Sequence, residues 1–245
     1  MTLVWLLWVI LCCWFVCIAI QWFPNRIAEE EAFWIAELKA EQLKGEGASA
    51  PTKLHPAVLS FFYTRPSNRP ISWVSIFLVA LFSGWSYLVY GATAQSFLWV
   101  LFGCGLIVLA VVDYQTKLLP DALTLPLLWL GILIQLFPDV RTVGLELSII
   151  GVVAGYLPLW VLAQTYKLIR KRDGMGMGDL KLLAAMGAWS GPFLLPQVLL
   201  IAALLAIALF VVDRWLLRKG SDIHEERPFG PAIVVAYFLV LLWAN

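Results

Sequence analysis

This sequence predicts an all-α, polytopic membrane protein with about eight transmembrane helices, on three observations. Of its 245 residues 62% are hydrophobic and 13% charged, against roughly half and a quarter in a soluble domain. The apolar residues gather into eight runs close to spanning length. The basic residues fall on alternate connections between those runs, as cytoplasmic loops do.

A span needs roughly 20 mostly apolar residues. The runs are 2–22, 71–91, 95–112, 122–138, 143–165, 180–191, 194–213 and 229–244. The first lacks a basic start and a small-residue cleavage site, so it reads as a retained helix rather than a cleaved signal. The sixth is the shortest. Cys12, Cys13, Cys17 and Cys104 lie inside apolar runs and read as small hydrophobic packers. The 13 tryptophans suit anchoring at the membrane interfaces.

Three parts follow: a first membrane helix over 1–22, a polar loop over 23–70 and a membrane core over 71–245. In the loop, Asn25 to Gly45 has helical spacing, Gly45 to Pro51 is a linker-like break, and Pro56, Pro66 and Pro70 mark an irregular remainder. With this loop on the cytoplasmic side, alternation brings 113–121, 166–179 and 214–228 to the same side. Of the 17 Lys and Arg residues, only Arg141 then falls outside. Both termini are expected outside. The net charge of +1 gives no reason to expect a nucleic-acid partner.

Carboxylates next to hydrocarbon are costly and default to function. Asp113 follows the apolar run ending at Val112, and Asp179 precedes the run beginning at Leu180. Both are expected at the cytoplasmic boundary. If their helices pack together, the two would not both ionise, and one would keep a proton at neutral pH. That supplies the base and the acid of an aspartic protease. A helix-start cap would explain Asp179 alone. It would not explain Asp113, because a helix C-terminus disfavours an anion. Gly174, Gly176 and Gly178 lead into Asp179 and permit positive φ or a close backbone approach. A substrate strand could lie against such a loop. The pattern is not G-x-G-x-x-G, and no strand precedes it, so a dinucleotide site is not expected.

Gly176-Met-Gly-Asp-Leu-Lys-Leu182 resembles the G-x-G-D signature of type IV prepilin peptidases, a family of membrane aspartic proteases. Gly187-Ala-Trp-Ser-Gly191 follows as in that family. Val112 to Pro126 resembles its first-aspartate segment, and Arg227-Pro-Phe-Gly-Pro231 its closing motif. The resemblance covers roughly 95–240. It implies Asp113 and Asp179 as catalytic residues, with Gly174, Gly176, Gly178 and Lys181 in the active-site loop. Asp121, after Leu-Leu-Pro, reads as the N-cap of the fourth helix. Lys181 either tunes the charge of the site or snorkels to headgroups. The implied substrates are type IV prepilin or pseudopilin precursors, cut after a glycine ahead of an apolar helix that stays in the bilayer. The implied location is the bacterial inner membrane, with the site facing the cytoplasm. Glu29, Glu30 and Glu31 could attract a basic leader but read more simply as a solvated helix face.

The first loop departs from the family. Many members carry two C-x-x-C pairs there, whereas 23–70 contains no cysteine, so zinc is not expected. Cys17 to Arg26 matches the family's N-terminal pattern only loosely. Proteolysis by two carboxylates needs no cofactor, and S-adenosylmethionine enters only if the family's N-methylation is retained. His55 and His224 lie in polar loops and H-E-x-x-H is absent, which argues against rhomboid and membrane zinc proteases. Two other readings remain: a proton-coupled transporter, weakened by the lack of a midplane carboxylate, and a non-catalytic subunit of a pilus or secretion assembly.

Overall fold

The computed structural model describes residues 2–20, 69–171, 176–215 and 228–244. These residues form eight helices: α1 (Thr2–Ile20), α2 (Arg69–Tyr90), α3 (Ala94–Thr116), α4 (Asp121–Ile134), α5 (Leu145–Arg170), α6 (Met177–Ser190), α7 (Leu195–Trp215) and α8 (Gly230–Ala244). The chain is a polytopic membrane protein. The predicted loop at 23–70 lies almost wholly outside the described residues.

Five helices are long and apolar enough to cross a membrane: α1, α2, α3, α5 and α7. The other three are shorter than their apolar runs suggest a span should be. α4 and α6 have 14 residues and α8 has 15. At 1.5 Å per residue such helices rise about 21–23 Å, short of a hydrocarbon core of about 30 Å. α4 stops at Ile134 because Pro138 cannot extend it, and turns take over from Gln135. Gln135 folds inward, only 4% exposed. Its Oε1 accepts from the backbone N–H groups of Thr142, Val143 and Gly144, and its Nε2 donates to the Gly131 carbonyl. One buried amide thereby serves the otherwise unpaired backbone of the α4–α5 turn.

The centre of the bundle is α3, α6 and α8. From Asp179 to Trp189 every residue of α6 except Lys181 is buried. Trp189 stacks on Phe102 of α3 with centroids 4.3 Å apart, and its Nε1–H donates to the Leu127 carbonyl of α4 at 2.9 Å. That pairing satisfies the indole in an apolar interior. α1 packs on α2 and α3 through Trp5, Cys12, Val16 and Ile20 against Val79, Cys104, Ile107 and Val108.

α5 buries a single stripe, Ser148, Gly151, Gly155 and Leu159, at the three-to-four-residue spacing of one helix face. Val152, Ala154 and Tyr156 flank it partly buried against the core, and Ile150, Val153 and Leu157 are exposed and apolar. Its glycines bring α5 backbone to backbone with α6. A Cβ added at Gly151 would strike the Gly187 carbonyl, and one at Gly155 would lie 2.6 Å from the Leu183 oxygen. Small residues are what allow membrane helices to approach this closely.

Candidate active site

Asp113 lies in the last turn of α3. α3 continues four residues past the apolar run that ends at Val112. It ends where Lys117 turns into the left-handed region, φ 58°, and its N–H bonds the Asp113 carbonyl. The side chain of Asp113 is 5% exposed. Asp179 is the third residue of α6, where the helix dipole favours an acid, and is 8% exposed.

The first turn of α8 meets Asp113. Gly230 donates its N–H to Asp113 Oδ2 at 2.9 Å. A first-turn N–H has no partner within its own helix, so the carboxylate fills a bond that the fold leaves open. The approach requires glycine: a Cβ at Gly230 would lie 2.7 Å from that same oxygen. Burial, and then the negative charge of Asp113, push the Asp179 carboxyl from its ordinary range up to about 7. The charge of one aspartate therefore reaches the other across 66 residues of sequence. A pair of this kind can hold one proton between two acids, with a donor fixed on the member that carries the charge.

The other expected residues sort as follows. Gly174 lies outside the described residues, as do Glu29 to Glu31, His55 and His224. Gly176 and Gly178 do not use positive φ: Gly176 sits at φ −66° as the residue before α6, and Gly178 is already helical. What Gly178 supplies is space, because a Cβ there would lie 2.6 Å from the Cβ of Leu119 in the α3–α4 loop. Asp121 is not the N-cap of α4. Pro120 holds that position without a side-chain bond, and Asp121 begins the helix. Its carboxylate takes Lys181 Nζ at 2.6 and 2.7 Å, so Lys181 neither reaches for headgroups nor stands free beside Asp179. Sequence reasoning assigned no role to Gly230, although the closing motif contains it. Among the described residues no three His, Cys, Asp or Glu side chains gather to hold a metal.

Residues 100–211 match the model of the type IV leader peptidase family. The match spans Asp113, Asp121, Asp179 and Lys181 but stops short of Gly230. Relatives named prepilin leader peptidase/N-methyltransferase extend the similarity. The one from Burkholderia pseudomallei strain K96243 is 47% identical over 126 residues, 51% of this chain and 40% of its own. The Pseudomonas aeruginosa protein is 37% identical over 166 residues, 68% of this chain and 56% of its own. The Neisseria gonorrhoeae protein is 36% identical over 198 residues, 81% of this chain and 62% of its own. The chain therefore spans only 40 to 62% of the length of these leader peptidases. No solved structure matches it.

Proposed function

We propose that this protein is a membrane aspartic endopeptidase that removes the leader from type IV prepilin or pseudopilin precursors at the cytoplasmic membrane boundary. The observation that carries this reading is the buried pair: Asp113 held by the Gly230 N–H, and Asp179 buried close enough to feel its charge, so that burial first and Asp113 second raise the Asp179 carboxyl to about 7. Asp113 takes a proton from water, and the resulting nucleophile attacks the scissile carbonyl. Asp179 gives its proton to the carbonyl oxygen as the tetrahedral intermediate forms. Collapse of that intermediate breaks the C–N bond as Asp113 passes the proton it took from water to the leaving nitrogen and Asp179 takes back the proton on the carbonyl oxygen, which releases the leader as a carboxylic acid and the new N-terminus as an amine. A precursor whose apolar helix stays in the bilayer brings its scissile bond to membrane-boundary depth. The distribution of Lys and Arg supports an inner-membrane orientation with this end of the bundle cytoplasmic and both termini outside. We read 71–245 as the peptidase core and 23–70 as a cytoplasmic loop without a zinc site.

The test is to incubate the purified protein in detergent with a synthetic precursor carrying a basic leader, a glycine and an apolar helix, and to weigh the products. Loss of a leader-sized mass is expected, and an unchanged precursor sinks the reading. Cleavage should fall as pH rises through about 7, because Asp179 then loses the proton it donates. A rate still climbing to pH 9 removes Asp179 as the acid. The relatives' names include N-methyltransferase. Among the described residues no set of groups for S-adenosylmethionine is identified, so methylation is tested by adding that compound and looking for one extra methyl mass.

The Gly230→Ala variant should separate site geometry from fold. Its methyl group must displace Asp113 Oδ2 from 2.7 Å. A misplacement of 1 Å at a reacting group can cost about 10²-fold. The expected result is a rate lower by roughly 10- to 100-fold with the thermal midpoint nearly unchanged. Wild-type cleavage by this variant would show that the Gly230 contact is dispensable.

A further inference from the structure

Asp113 and Asp179 arrive on helices whose nearest ends are joined by two contacts outside the pair itself. Lys181 lies two residues beyond Asp179 and donates to both oxygens of Asp121, at 2.6 and 2.7 Å. Asp121 opens α4, immediately after the short loop that leaves α3. Leu119 of that loop fills the space over Gly178, the residue before Asp179. The ion pair is partly exposed, with Lys181 30% and Asp121 54% accessible, so it contributes little to overall stability. Its two-point geometry instead fixes direction, since one ammonium meeting both carboxylate oxygens restricts how the start of α6 can slide past α4.

We propose that Asp121 and Lys181 are positioning residues, an ionic clip between the start of α4 and the start of α6 that sets the separation of Asp113 and Asp179. The clip rests on the peptidase reading for its catalytic consequence but not for its geometry, and the two can be tested apart. Asp121→Ala, Lys181→Ala, the double alanine variant and the exchange Asp121→Lys with Lys181→Asp are made in the full chain. Cleavage of the synthetic precursor is measured beside wild type and Asp179→Asn. Each alanine variant should lower kcat about tenfold, a fraction of the cost of a 1 Å misplacement. KM and the thermal midpoint should stay nearly constant. The double variant should be no worse than either single, and the exchange should recover most of the rate. Independent single effects that multiply, or an exchange no better than the singles, would overturn the clip.

The second measurement does not depend on activity. Spin labels are placed at Leu118 and Met177, 44% and 48% exposed, in a background with Cys12, Cys13, Cys17 and Cys104 changed to Ala. Their distance distribution should broaden in Lys181→Ala and narrow again in the exchange. A distribution unchanged by Lys181→Ala overturns the clip even if wild type cleaves. A wild type that does not cleave, with the distribution responding as described, sinks the peptidase reading and leaves the clip standing.

Discussion

Asp179→Asn is expected to lower leader cleavage by about 10²–10⁴-fold, the contribution of a positioned acid or base, while the protein stays folded. The amide has nearly the shape of the carboxyl it replaces but has no proton to give. Burial and the charge of Asp113 raise the Asp179 carboxyl towards its protonated form, and a neutral amide in its place leaves no unpaired charge in the interior. Asp113→Asn should have an effect of the same order by a different route. Its Oδ1 can still accept from the Gly230 N–H, which preserves the contact seen at 2.9 Å, yet an amide cannot take a proton from water. Because the two act on one reaction as a unit, the double variant should be little worse than either single. Product masses give the rates, and a thermal melt in detergent verifies the fold. Either variant cleaving at the wild-type rate would end the assignment. A scaffold would keep its assembly function in both.

A bulky residue at the α5–α6 seam should act in the opposite way, by taking the fold and the activity together. Gly187 and Gly151 face each other so closely that a Cβ on either would meet the other's carbonyl. Gly187→Val should cost roughly 3 kcal/mol, the upper end of overpacking, because the obstruction is backbone and cannot rotate away. At about 2–4 °C per kcal/mol for a chain of this size, the thermal midpoint should drop by roughly 6–12 °C, with less folded protein recovered. Ser148 and Thr142 donate to the Ala188 and Trp189 carbonyls at 2.7 Å beside this seam, so separating the helices also strands buried acceptors. Gly84 on α2 is the control. A Cβ there meets nothing within 4 Å, and Gly84→Ala should leave the melt unchanged. Equal midpoints for Gly187→Val and Gly84→Ala would refute the seam.

The aspartate pair and the α5–α6 seam show where the sequence could be read and where it could not. The membrane runs were legible because the bilayer imposes composition and length on any span. Asp113 and Asp179 were legible because a charge abutting an apolar run is conspicuous. Helix ends were read less well. α3 continues through the polar turn Asp113 to Thr116, whose backbone pairing does not depend on hydropathy, while α4 loses its last residues to Pro138. Three of the eight expected helices, α4, α6 and α8, have only 14 or 15 residues, because apolar composition marks burial without marking where a helix begins and ends. Of the two uses expected of Gly178, positive φ is not taken and close approach is. Gly230, Gln135 and the Asp121–Lys181 pair were out of reach for a shared reason. Each works through a partner between seven and 117 residues away, and no local pattern encodes a contact of that kind. The family resemblance marked Gly230 as part of a motif without saying what it touches.

The enclosure of α6 also has a consequence for biosynthesis. With protein on every side from Asp179 to Trp189 save at Lys181, this helix has almost no surface to offer to acyl chains. It carries an aspartate and a lysine, and each ionised residue weighs heavily against a lone helix partitioning from the translocon into lipid. α6 must therefore be taken up together with a neighbour already in place, and the glycine face of α5, made immediately before it, is the surface ready to receive it. The order of synthesis along the chain and the order of assembly in the membrane would then be the same.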